Sequence, residues 1–142
     1  MISLLSGVDS TASALNAEQT RMDIISENIA NVNTTKGLDG KPYQRQQVVF
    51  ESVLKAQQDA SAGAVPQTTQ IVRIAKDTSP PRMVYNPTHP EANAQGMVAM
   101  PNIDIHEEMV DMIASSRSYE ANLAVIKNAR SMAMQDLSIG KH

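Results

Sequence analysis

A chain of 142 residues with a formal net charge of −3 has room for one domain, or one domain with extensions, and offers no basic face for a polyanion. It has no cysteine, which excludes disulfides and thiolate metal sites, and only four aromatic residues (Tyr43, Phe50, Tyr85 and Tyr119) to fill a core. Packing must therefore come from Leu, Ile, Val, Met and Ala spread along extended surfaces.

The opening apolar run, Ile2 to Leu5, is interrupted by Ser3, and the first basic residue is Arg21. No cleavable secretory signal is written there, and nothing later approaches a membrane span. Any exit from the cytoplasm is expected by a route that reads no such signal.

All seven prolines lie between Pro42 and Pro101. Proline breaks a helix interior at a cost of about 3 kcal/mol, so this distribution divides the chain. We expect an N-terminal helix within residues 1–35, a small β-rich or irregular middle over 36–101, and a C-terminal helix within 102–142. The fold class is then mainly α, with the two long helices packed as a coiled-coil-like hairpin.

In the first segment Leu4, Val8, Thr11, Leu15, Glu18, Met22, Ile25, Ile29 and Val32 step alternately by four and three. That is a heptad seam with polar interruptions, which weaken a simple two-stranded coil and can set its register. The plainer alternative is an amphipathic helix on a core. Residues 4–33 as helix would span about 45 Å.

Short β-branched or alternating runs fill the middle: "YQRQQVVF" (43–50), "TQIVRIA" (69–75), "RMVY" (82–85) and "GMVAM" (96–100). Residues 54–70 are small and polar, and read as a mobile loop.

The last segment opens with Pro101 and then "DIHE", where Asp104 can cap the helix and Glu107 stands at capping-box spacing. Acids come early in it and Lys127, Arg130 and Lys141 late, complementing the helix dipole. Ile105, Met109, Met112, Ser116, Tyr119, Leu123 and Ile126 again step by four and three. Two such helices cannot be covered by the short middle, so their seams should meet other copies or other proteins.

Chemistry is not written here. His89, His106 and His142 lack metal-ligand spacing, and His89 in "NPTHPEAN" reads as a turn with a polar cap. There is no nucleophile elbow and no phosphate-binding glycine loop. The acids of "DIHEEMVD" are accounted for by the helix dipole. We expect no catalytic site, no metal and no cofactor. Nine methionines serve either as flexible filler or as contacts that adapt to unlike neighbours.

The segment "ENIANVNT" (27–34), followed by "GKPYQRQQVVFE" (40–51) and by "YNPTHPEANAQGMVAMPNIDIHEEMVDMIASSRSYEANLAVIKNARSM" (85–132), resembles bacterial flagellar axial proteins, and among them the proximal-rod subunits. Met97 stands where that family would have an aromatic residue. The resemblance implies a non-enzymatic subunit of a hollow drive shaft in the basal body, crossing the periplasm, transmitting torque and passing exported subunits. Its partners would be other copies of itself, other proximal- and distal-rod proteins, the rod-base adaptor and the flagellar type III export apparatus, with no nucleic acid and no membrane span. The runner-up is a soluble helical-hairpin adaptor or chaperone in the cytoplasm.

Subunit contacts are then expected at Leu4, Val8, Leu15, Met22, Ile25, Asn28, Ile29, Asn31 and Val32 of the first helix. In the second they are expected at Ile105, Met109, Met112, Tyr119, Leu123 and Ile126. Asp111, Ser115, Ser118 and Asn122 form a small polar stripe that is either a solvated face or, as the resemblance implies, the lining of the channel.

Overall fold

The computed structural model describes residues 2–37, 39–54 and 68–139. Two helices enclose the chain: α1 (Ile2–Ala30) and α2 (Ile105–Ile139). Between them lie β1 (Gln46–Leu54), β2 (Thr68–Lys76), β3 (Arg82–Tyr85) and β4 (Met97–Met100). The strands pair as two separate antiparallel ribbons, β1 with β2 from Gln46↔Lys76 to Leu54↔Thr68, and β3 with β4 from Arg82↔Met100 to Tyr85↔Met97.

The first strand starts three residues later than its sequence run; before it, Tyr43 and Arg45 bond to the helices through their side chains and to Thr34 and Asp77 through their backbone. Part of the expected loop is strand: Leu54 closes β1 and Thr68–Gln70 open β2. The rest of it, residues 55–67, lies outside the described residues, as does the side chain of Leu4.

Asp104 caps α2 as expected, its carboxylate accepting the His106 amide at 2.9 Å. At the end of the first helix, Asn31 bonds the Glu27 carbonyl twice, through its backbone N–H at 3.1 Å and its Nδ2 at 2.9 Å. The β3–β4 turn depends on Gly96. Its φ is +74°, and an added Cβ would stand 2.9 Å from the Tyr85 ring and 3.2 Å from Pro87. His89 sits in this turn, accepting the Glu91 amide on Nδ1 at 3.2 Å.

The helices run antiparallel. Asn28 meets Glu108, Arg21 meets Asp111, and Ala14 and Glu18 share a groove with Ser118 and Asn122. The β1–β2 ribbon lies against α1, with Gln46 beside Asn28 and Phe50 beside Arg21. Among the described residues, buried apolar side chains are Ala17, Ile24 and Ile25 from α1, with Val98, Pro101 and Ile103 from the approach to α2.

The stripe that each helix buries is offset from its apolar seam. On α1 Ala17, Ile24, Ile25 and Asn28 are buried, and half-buried Thr11, Ala14, Glu18, Arg21 and Val32 extend that face. On α2 the matching stripe is Glu108, Met112, Ser115, Tyr119, Asn122, Ile126, Ala129 and Ala133. Half of each expected seam is shared, and beside the other half the residue one position earlier also turns inward: Ala14, Arg21 and Asn28 beside Leu15, Met22 and Ile29, and Glu108, Ser115 and Asn122 beside Met109, Ser116 and Leu123. At 100° per residue this turns the inward face of each helix by about 50°. On α2 this brings Glu108 and Ser115 inward, whereas Ala17, Ile24 and Ile25 are buried on α1 beside Asn28.

Candidate functional site

Residues Tyr43, Arg45 and Gln46 enter between the helices immediately before and at the start of β1, and there they build a polar clasp. Asn28, at 1% exposure, uses its whole amide. Its Nδ2 donates to the Gln46 carbonyl at 2.8 Å and to Glu108 Oε2 at 3.1 Å. Its Oδ1 accepts the Gln46 amide at 2.9 Å and the Tyr43 hydroxyl at 3.1 Å. Gln46 Nε2 in turn reaches the Tyr43 oxygen at 3.1 Å and Glu27 at 3.3 Å.

Glu108 is equally buried, and Arg45 Nε donates to its Oε1 at 2.5 Å. Burial alone would push the Arg45 guanidinium down, but its bond to Glu108 and the charges of Glu108, Glu107 and Asp111 outweigh that and hold it above its ordinary value. Tyr43 is raised above the usual phenol value, first by burial and then by the carboxylates of Glu27 and Glu108, against a lowering bond from Gln46. Behind the clasp the Asp77 amide closes on the Arg45 carbonyl at 2.7 Å. The Asp77 carboxyl is lowered by the hydroxyl and amide of Ser79.

This clasp takes one of the expected interface residues, Asn28, inside the chain. Asn28 has no hydrogen-bonding group left for a neighbour, and Asn31 spends its amide on the Glu27 carbonyl and its oxygen on the Thr34 hydroxyl. The asparagines that end α1 therefore join it to the following chain and to α2. Asn33 is exposed. Ile25 is buried within the chain, whereas Val8, Leu15, Met22, Ile29 and Val32 are half-buried and keep surface to offer.

On α2, Met112, Tyr119, Leu123 and Ile126 are half-buried, while Ile105 and Met109 are 42% and 54% exposed. Beyond them Met134 and Leu137, on the same flank, are more exposed still, and Val110, Ile113, Val125 and Met132 stand out on the remaining faces. An apolar helix surface left this open in a chain this short calls for cover.

The expected channel stripe does not face outward as a unit. Ser115 is 1% exposed, because the buried stripe of α2 runs through it. Asp111 is drawn toward Arg21 and Arg45, at 3.8 and 4.0 Å. Ser118 and Asn122 line an inter-helix groove of about 540 Å³ with Ala14, Glu18, Arg21, Phe50 and Ala121. Of the four, Ser115 alone is enclosed within the chain, and Ser118 is exposed.

Two terminal helices with open apolar flanks, locked to a small β middle by a buried polar clasp, are the features of a structural subunit. Known proteins agree. Residues 9–37 match the family described as "Flagella basal body rod protein", and residues 94–139 match "Flagellar basal body rod FlgEFG protein C-terminal". The chain is 39% identical over 140 residues to the flagellar basal-body rod protein FlgC of Yersinia enterocolitica, covering 99% of this chain and 100% of that one. It is 42% identical over 142 residues to FlgC of Bacillus subtilis (92% and 94%), and 37% identical over 147 residues to FlgC of Borreliella burgdorferi (96% and 97%). The chain belongs to the FlgC family of flagellar basal-body rod proteins. It is a structural protein of the basal-body rod and not an enzyme. No helix among the described residues is long and apolar enough to cross a membrane.

Proposed function

We propose that this chain is a subunit of the proximal rod, where copies of it and of other rod proteins assemble helically into a hollow shaft that crosses the periplasm, transmits torque and passes exported subunits. In this reading residues 1–35 and 102–142 form the axial core as a coiled-coil-like hairpin, and 36–101 form a small outer segment that stiffens it. The regular three-and-four stepping of the buried and half-buried stripe on α2 supports the hairpin. The chain would reach its place as an unfolded substrate of the flagellar type III export apparatus, and it would meet the rod-base adaptor and the proximal- and distal-rod proteins there.

The observation that carries the proposal is the open flank of α2. Met109 at 54%, Met134 at 61% and Leu137 at 64% exposure lie on one side of it, continuous with half-buried Leu123. Methionine suits a surface that must fit several non-equivalent neighbours, as a rod of mixed subunits presents. The test is swimming, and imaging of isolated basal bodies, in cells that lack this chain. Rods should be absent or truncated at their base. Swimming cells with complete rods would refute the proposal.

A further inference from the structure

Among the described residues Glu18 is an acid without a partner. Its Oε2 is enclosed and accepts no hydrogen bond, and the residue lines the groove formed with Ala14, Arg21, Phe50, Ser118, Ala121 and Asn122. The neighbouring base cannot serve it: Arg21 lies over the Phe50 ring, 5.9 Å from its centroid, and reaches Asp111 at 3.8 Å. Enclosing a carboxylate oxygen without a donor is unfavourable. The groove holds about 540 Å³, far beyond the order of 10–15 Å³ that one water needs. Three of its lining side chains, Ala14, Ala121 and Ser118, are small and permit close approach there by another helix.

The complementary surface is on the same chain. Lys127 and Arg130 are exposed on α2, one turn apart, and make no ion pair or hydrogen bond among the described residues. Exposed Met134 and Leu137 continue that flank. At 100° per residue, Lys127, Arg130 and Met134 point roughly 180° away from Ser118 and Ala121. The acid-bearing groove and the basic, apolar ridge therefore occupy opposite flanks of one hairpin. No single chain can bring them together.

We propose that the Glu18 groove receives the α2 ridge of a second copy of this chain, with Arg130 donating to Glu18 and Lys127 beside it. Guanidinium matches carboxylate with paired donors, and the flanking methionine and leucine bury apolar surface at the groove mouth. Because groove and ridge are different patches, the contact is heterologous and repeats head to tail, as an open helical assembly requires. The inference rests on the rod-subunit reading and deepens it by naming the contact.

The absence of cysteine makes the test clean. Two copies are co-expressed in cells lacking the native chain, one carrying Glu18→Cys and the other Arg130→Cys, and basal bodies are isolated under mild oxidation. A disulfide-linked dimer should form only when both variants are present, and a Gln19→Cys, Arg130→Cys pair should give several-fold less. An intramolecular bond cannot mimic this, since each copy carries only the one introduced cysteine.

Absence of the dimer in cells that swim overturns the contact while leaving the rod reading intact. A cross-link from Glu18→Cys to a protein of another mass overturns the choice of a second copy. Should the cysteine variants fail to swim, charge exchange decides. Glu18→Arg and Arg130→Glu alone should each abolish swimming, and the two combined in one chain should restore it. Failure of the combination, with the chain present in basal bodies, counts against the proposal as firmly.

Discussion

Asn28 and Glu108, 80 positions apart in the chain, meet through an amide–carboxylate hydrogen bond of 3.1 Å with both residues 1% exposed. The amide also holds the Gln46 backbone on both its N–H and its C=O. Asn28→Ala should therefore leave several buried groups unsatisfied and destabilise the purified chain by about 3 kcal/mol in urea unfolding. Asn28→Asp keeps the size and removes the donor, placing a carboxylate against Glu108. It should be no milder than alanine at neutral pH.

Arg45 and Glu108 should behave as one unit. Arg45 is 16% exposed and Glu108 1%, so removing the base alone leaves a buried charge and should cost about 3–5 kcal/mol. Replacing both, Arg45→Met with Glu108→Leu, should cost less than either single change. A double-mutant cycle by thermal unfolding measures this. A coupling of only ~0.5 kcal/mol, the range of exposed pairs, would contradict the clasp.

Tyr43 gives the clasp an alkaline limit. Its folded value lies above the unfolded value of about 10, so folding favours the neutral phenol. That contribution is fully present below about pH 10 and is lost as pH rises through the folded value. Stability followed from neutral pH into this range should fall in the wild type. Tyr43→Phe should start lower, having lost the hydroxyl bonds, and lose less of its stability over the alkaline interval.

Ile25 and Met109 were grouped by the same seam reading, and the structure separates them. Ile25 is 5% exposed and Met109 54%. Ile25→Asp should unfold the hairpin, at a cost of several kcal/mol. Met109→Asp should change the melting temperature of the chain by no more than a few degrees while excluding it from basal bodies. Circular dichroism of the purified variants and immunoblots of basal bodies distinguish the two outcomes.

Helix extents were legible because proline and helix-breaking chemistry are local: Asp104 caps where the "DIHE" run places it, and no proline interrupts either helix. The strands were legible for the same reason, from β-branched runs between turns. The offset of the seams was not. Hydrophobic periodicity marks the face that needs cover, and in a subunit some of that cover comes from other chains, so Met109 and Leu123 were read as part of the same contact as Met112. Glu108, Ser115 and Asn122 carry no apolar signal, yet they lie on the inward stripe. The clasp was also out of reach, because Arg45 finds Glu108 across 63 positions and no local spacing encodes that pairing.

The clasp has a kinetic consequence. Its parts arrive in the order Asn28, Tyr43, Arg45, Gln46 and finally Glu108, so it cannot shut until more than three-quarters of the chain is available. Closing a loop of this size carries an entropic penalty that only the finished contact repays. Under the export route proposed above, a chain emerging tail-last would have its first helix in the open with the Asn28 amide unoccupied by Glu108. Premature compaction is thereby discouraged by the placement of a single carboxylate near the start of the last helix.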